Sequence, residues 1–416
     1  MKILWITFWG TWTKPLLNLI KDFCELEVII PSEGRKDYKT EIVDGVKYHY
    51  ITFTKGKGIY VDMDKDVYES YRRIIETFNP HLIHVHGTEK NLAQIQNFVK
   101  NIPVVISIQG LLSGCLKYNM AYLSKGDMLK HTSIKNLVGH GGLDLSEKMC
   151  QKGVENYETD ILTNGKYFIG RTLWDKAHTQ MLNPNSKYFV GEEILRPLFY
   201  QHEGQWDINK CERHTIMMPS GYNPLKGMHF AIQAVAYIKQ FYPDVMLKIP
   251  GIPSNMRNRK GLKKYLIGEE YIEYCLALIR KLKIESNIKF LPYLNEQEMV
   301  EEMLNSNVFL SCSTIDNSSN AIGESTLLGV PLVATAVGGI LSILEDERTA
   351  LLVPSGDAYV MAYQIKRLFD SDELCQVLSQ QEVELAQERH NLTVTTKQYI
   401  NIYNDVISFH DTTKEA

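Results

Sequence analysis

Two acids and a lysine occupy the positions of this chain best suited to chemistry. Asp316 lies in a polar loop, Asp316-Asn317-Ser318-Ser319-Asn320, and Glu324 follows one turn into the next apolar run. Lys226 ends a second loop, PSGYNPLKG, just before another apolar run. Carboxylates accept hydrogen bonds from hydroxyls and repel phosphate, whereas a lysine is a point cation for phosphate. The two acids flank a helix start, whose N–H groups suit an anion, so a ligand using both must carry hydroxyls and phosphate, as a nucleotide sugar does.

The elements around these residues can position them. Residues 308–311, with Phe309 and Leu310, read as a short buried strand. Residues 321–328 read as a helix closed by Gly329, with Pro331 barring its continuation, and residues 332–335 as the next strand before Gly338-Gly339. A loop at the carboxyl end of a parallel strand, feeding a helix N-terminus, presents backbone N–H groups to an anion. Ser319, Asn320, Ala321 and Ile322 stand at that turn.

The run SCSTIDNSSNAIGESTLLGVPLVATAVGG resembles the donor-binding signature of the retaining glycosyltransferases of family 4 (glycosyl transferases group 1). Where that family has two glutamates with seven residues between them, this chain has Asp316 and Glu324, so the first carboxylate is one methylene shorter. The resemblance implies an α/β chain of GT-B fold: two doubly wound, Rossmann-like parallel-sheet domains facing a cleft, with a C-terminal helix crossing back to the first. It also implies site roles. Glu324 would meet ribose hydroxyls and Asp316 sugar hydroxyls, while Lys226 and Gly227 close the loop that neutralises the donor diphosphate. Tyr293 and Leu294, in the run FLPYL, match the loop that cradles the base. The family's diphosphate loop commonly reads G-R-L-x-x-x-K-G; here Gly221 holds the arginine position, which removes one cation. Arg171, at a helix entrance of the first half, is the residue expected to replace it across the cleft.

Taken from its start, the chain alternates strand and helix. Residues 2–7 form a strand, and the loop FWGTWTKP follows, with Gly10 free to approach a ligand. The opening MKILWITFWGTW has a short apolar run and no small-residue cleavage site after it, unlike a signal peptide. Residues 25–30 make a second strand, 66–78 a helix, 82–86 a strand, 91–99 a helix and 104–108 a strand ending at Gln109-Gly110. Such alternation specifies a doubly wound parallel sheet, whose ligands collect outside the carboxyl ends of strands. His86 and Gln109 therefore fall on the acceptor side with Arg171. His84 reads as a satisfied core histidine, and His86 as a residue handling the acceptor or its proton. The family's strand commonly ends in His-Gly or His-Asp, so Gln109 departs from it.

Between residues 111 and 160, Tyr118, Met120, Tyr122, Leu123 and Met128 interleave with Lys117, Lys125, Lys130 and Lys135. Ordinary helices with solvated lysines are the expected reading, and peripheral contact with anionic lipid is the alternative. The predicted domains are 1–200, binding the acceptor, and 201–390, binding the donor, with 391–416 packing back on the first.

Composition narrows the function classes. With 416 residues, 44% hydrophobic and 23% charged, the chain has the make-up of a two-domain globular enzyme. A net charge of -4 argues against general nucleic-acid binding. Seven dispersed cysteines without C-x-x-C spacing predict free thiols and a cytoplasmic location, in solution or at the inner membrane face. No Asp-x-Asp triplet stands at a donor-site loop, so neither a metal nor a cofactor is expected, and the substrate is itself the nucleoside-diphosphate sugar. The resulting expectation is a retaining transferase, with a glycan or lipid-linked acceptor. Its rivals are a degenerate nucleotide-sugar-binding partner in a polysaccharide-assembly complex and a nucleotide-sugar epimerase, which would need no acceptor.

Overall fold

The apolar runs that alternate with helical spacing become strands of two separate sheets. A computed structural model describes residues 1–8, 13–33, 38–53, 61–138, 142–257, 266 and 269–415. Two compact units result: Met1–Gly114 with Cys150–Ile194 and His390–Ala416, and Cys115–Met149 with Leu195–Arg389.

In the first unit the strands are β1 (Lys2–Ile6), β2 (Glu25–Glu33), β3 (Lys39–Val43), β4 (Val46–Phe53), β5 (Leu82–His86), β6 (Val104–Ser107), β7 (Tyr167–Gly170) and β8 (Lys187–Val190). Their order is β3-β4-β2-β1-β5-β6-β7-β8. All neighbours are parallel except β3 and β4, an antiparallel hairpin turning at Asp44-Gly45. The order reverses beside β1, so the loops after β1, β5 and β6 end where ligands of such sheets collect. The helix expected over residues 91–99 is a 3-10 helix, Asn91–Asn97.

The second unit's sheet is wholly parallel and ordered β11-β10-β9-β12-β13-β14. Its strands are β9 (Glu212–Met217), β10 (Met246–Ile249), β11 (Ile288–Phe290), β12 (Ser306–Ser311), β13 (Leu332–Thr335) and β14 (Leu351–Val353). Every residue of β12 and β13 is buried, which accounts for the apolar runs Val308–Leu310 and Leu332–Ala334 within them.

The division differs from the predicted one in two places, both decided by packing. Leu195 and Phe199 belong to the second unit's core, so the boundary falls after Ile194 instead of residue 200. Leu123, Met128 and Leu143 join that core too and take Cys115–Met149 with them. The C-terminal helix Leu392–Glu415 folds with the first unit, burying Tyr399, Ile402, Tyr403 and Val406 beside Ile3, Trp5 and Leu16. The Tyr403 hydroxyl ties it down: Trp5 Nε1 donates to it at 3.2 Å, and His84 Nδ1 lies 2.8 Å away.

One buried acid gives the second unit a pH-sensitive joint. Glu382, on the helix Asp372–Arg389, is fully buried and accepts the N–H of Leu332 at 2.9 Å, where β13 begins. Burial pushes its carboxyl well above the ordinary carboxylate range. A folded-state pKa above the unfolded value adds stability at low pH that is lost as pH rises through it. Glu382→Gln should therefore melt higher than the parent, by a margin that widens from about pH 5 to about pH 9. Thermal unfolding across that range checks it, and a margin independent of pH would show that Glu382 does not titrate there.

Candidate functional site

The loops after β9 and β12 are bound to each other by their backbones. Thr314 N–H donates to Leu225 O at 2.8 Å, and Cys312 Sγ lies 3.2 Å from Lys226 O and 3.3 Å from Gly227 O. Gly227 has φ +73°, and a Cβ there would sit 2.0 Å from Cys312 O, so glycine alone permits the approach. The short turn Pro224–Lys226, capped by the Asn223 side chain, then aims Lys226 at the neighbouring loop. Lys226 Nζ reaches Asp316 Oδ2 at 2.6 Å, and Ser313 Oγ donates to the same oxygen at 3.2 Å. Burial works against the lysine's charge, but the Asp316 carboxylate outweighs it and holds the ammonium above its ordinary value. Gly338, at φ +50°, closes the far side: Gly339 N–H donates to Asp316 O at 3.0 Å, and a Cβ on Gly338 would lie 2.2 Å from that oxygen.

The helix after this loop is Asn320–Leu328, closed by Gly329 in the left-handed region. Its first turn carries no acid, and Ser319 at the N-cap makes no side-chain hydrogen bond to it, so the positive end of the dipole is not neutralised from within. Ser319, Asn320 and Ala321 are partly exposed, whereas Ile322 is buried.

Glu324 is placed differently from its expected role. It is 4% exposed, and both its oxygens face Arg196: Nε donates at 2.6 Å and Nη2 at 2.8 Å. Arg196 also lies over the Phe199 ring, 4.6 Å from its centroid. Burial pushes the Glu324 carboxyl up, and the guanidinium pulls part of that shift back. Sequence reasoning missed Arg196. Its signal was a lone charge in the apolar run ILRPLF, because such a charge is retained inside only with a partner.

Tyr293 and Leu294 follow β11. Gly251 N–H donates to Pro292 O at 3.1 Å, and the exposed Tyr293 ring stands over Gly251 at the carboxyl end of β10. Gly221, at the position of the family's arginine, faces the other way. A Cβ there would meet Ile249 Cγ2 and Met228 Sδ, each at 2.6 Å, so a side chain would enter the core.

The first-unit residues are only partly where the sequence put them. Gly10 lies outside the described residues. Gln109 is half-buried at the end of β6, next to Gly110, whose N–H donates to Glu89 Oε1 at 2.9 Å. His84 is satisfied inside the core, with Nε2 2.7 Å from Ser107 Oγ. His86 is buried, its ring centroid 4.2 Å from that of Trp5 and 3.8 Å from that of His84. Burial, with His84 and Arg171 nearby, holds its pKa well below the ordinary value. Arg171 also departs from expectation: it is buried and ion-paired with Glu193 within its own unit, so it does not present a free cation. Its position at the helix entrance is legible in the sequence, but that position does not tell a buried ion pair from a cleft-facing cation. Among the described residues, no three His, Cys, Asp or Glu side chains converge as a metal site. All seven cysteines are free.

Residues 205–384 match the family model described as glycosyl transferases group 1. The N-acetyl-alpha-D-glucosaminyl L-malate synthase of Bacillus anthracis is 30% identical over 264 residues, covering 61% of this chain and 61% of that protein. A D-inositol 3-phosphate glycosyltransferase of Corynebacterium urealyticum is 26% identical over 184 residues, covering 44% of this chain and 41% of the relative. The chain thus spans about three fifths or less of these relatives. Among solved structures, sucrose-phosphate synthase from Thermosynechococcus elongatus superposes with a TM-score of 0.67 at 14% identity, covering 98% of this chain and 99% of that one. Anabaena Alr3699/HepE in complex with UDP-glucose superposes with a TM-score of 0.62 at 16% identity, covering 97% of this chain and 100% of that one.

Proposed function

We propose, for a chain that belongs to the glycosyl transferases group 1 and has the GT-B fold, that it moves a sugar with retention from a nucleoside diphosphate to an acceptor hydroxyl. The acceptor is a glycan or a lipid-linked glycan, and the setting is surface polysaccharide or glycoconjugate synthesis on the cytoplasmic side. The observation that carries this reading is the Lys226–Asp316 pair, 2.6 Å apart where the loops after β9 and β12 meet. A cation beside a hydroxyl-binding carboxylate matches a diphosphate joined to a sugar. As the glycosidic bond breaks, negative charge grows on the diphosphate, and preorganised positive potential lowers that barrier most. Lys226 supplies the full charge and the start of the helix Asn320–Leu328 a partial one. The leaving phosphate is basic enough to take the acceptor proton, which suits an acceptor side whose histidine is held neutral.

Calorimetry with UDP, GDP and their common sugars, without added metal, tests the donor. UDP comes first, because Anabaena Alr3699/HepE was solved with UDP-glucose. Saturable binding of one nucleoside diphosphate is the expected result; binding of none removes the donor assignment. One observation favours a second reading, a nucleotide-sugar-binding partner without turnover: both Glu324 oxygens are taken by Arg196. Donor binding with no transfer in an acceptor screen would select that reading.

A further inference from the structure

The excursion Cys115–Met149 folds with the second unit through specific polar contacts. Thr132 Oγ1 donates to Glu270 Oε1 at 2.6 Å, Leu143 N–H donates to Glu270 Oε2 at 3.1 Å, and His229 Nε2 lies 3.0 Å from Ala121 O. What the excursion leaves outside is apolar. Tyr122 is 63% exposed, Leu129 64%, Ile134 52%, Leu137 66% and Val138 61%. Single exposed apolar side chains are ordinary, but five fall between residues 122 and 138, and Leu129 and Leu137 among them line one cavity. The segment is helical with solvated lysines, as expected, and Leu123 and Met128 are turned inward.

Two further features bear on what covers the patch. A slot of about 230 Å³ opens within it, lined in part by Met120, Met128, Leu129, Leu137 and Leu143. The Asn136 carboxamide also lines the slot, and both its nitrogen and its oxygen are buried without a hydrogen-bond partner. Such a group is costly until a ligand pairs with it. The second feature is charge. Residues 117–138 carry Lys117, Lys125, Lys130 and Lys135 against Asp127 alone, 4 − 1 = +3, in a chain whose net charge is -4. All four lysines are exposed; Lys130 pairs with Asp127 at 3.2 Å and Lys135 with Glu269 at 3.9 Å.

We propose that this face docks on an anionic lipid surface. Leu129, Ile134, Leu137 and Val138 enter the boundary between headgroups and acyl chains, and the lysines meet the headgroup phosphates. The slot takes the upper part of one acyl chain, with its ester oxygen against the Asn136 carboxamide. A second copy of the chain is disfavoured because it would set the exposed Lys117 and Lys125 against themselves. The inference deepens the transferase reading, and rests on it for one point only: the acceptor is then membrane-borne.

The test is sedimentation of the full chain with vesicles of phosphatidylcholine, and with vesicles in which roughly a third of the lipid is phosphatidylglycerol. Binding to the anionic vesicles, weakening as salt is raised, is expected. Leu129→Asp with Leu137→Asp, and separately Lys125→Ser with Lys130→Ser and Lys135→Ser, should each lower that affinity by at least about tenfold. These side chains are exposed, so unchanged melting and unchanged UDP calorimetry verify the variants. No binding to anionic vesicles at low salt overturns the proposal, as does undiminished binding by both variants. A parent dimer dissolved by the leucine substitutions assigns the patch to a second copy and also overturns it. UDP binding without vesicle binding removes the lipid surface alone, whereas vesicle binding without UDP binding removes the donor reading alone.

Discussion

Lys226→Ala should lower turnover of the nucleotide sugar by at least about tenfold, and by as much as about a hundredfold. A charge-assisted hydrogen bond contributes about 1.5–3 kcal/mol, and each 1.36 kcal/mol of barrier is a factor of ten. The effect should fall more on kcat than on the dissociation constant of UDP, because the charge on the departing diphosphate is largest after the bond to the sugar has lengthened. Removing the ammonium also leaves Asp316 with Ser313 as its remaining side-chain donor, so a control must separate charge from structure. Lys226→Ala combined with Asp316→Asn provides it: both charges are gone, and the loops stay bound through Thr314, Cys312 and Gly227. Steady-state kinetics beside calorimetric UDP binding are the measurements. A folded Lys226→Ala protein of full activity would remove Lys226 from the diphosphate.

How far the site could be read from the sequence depends on the range of the interactions that build it. The unit from β12 to β13 is legible because its signals are local: a buried apolar run, a polar loop, a helix stopped by Gly329 and Pro331, and a second apolar run. Lys226 is legible for the same reason, since a strand, a turn and a helix bracket it. The Asp44-Gly45 hairpin carries an equally local signal, with φ +51° and +81°, although only its strand pairing shows that it extends the sheet. Ion pairs between distant segments are a different matter. Arg196 and Glu324 are separated by 128 residues, and no periodicity links them. Arg171 and Glu193 illustrate the same limit: each follows a strand end that the sequence marks, while their pairing and burial depend on elements elsewhere in the chain. Cys115–Met149 is the largest case, because its side of the division was decided by three apolar residues docking on the second unit's core.

The Arg196–Glu324 pair yields a prediction that separates fold from function at one carboxylate. Arg196→Ala leaves Glu324, whose side chain is 5% exposed, charged and unpartnered. Breaking a buried pair from one side costs about 3–5 kcal/mol, and the lower end applies because the Arg196 side chain is 20% exposed. Combining Arg196→Ala with Glu324→Gln removes the stranded charge and keeps the side-chain volume, so most of the lost stability should return. Turnover should not return with it. If the carboxylate turns from Arg196 to the ribose hydroxyls when donor binds, the double variant stays at least about tenfold below the parent, since a neutral amide is the weaker acceptor. Glu324→Gln alone should then show the same kinetic loss with a smaller change in melting. Thermal unfolding and kcat/KM on the same three proteins decide the matter. Recovery of both stability and turnover in the double variant would mean that Glu324 serves only to anchor Arg196 beneath the helix, and that Lys226 and Asp316 hold the donor without it.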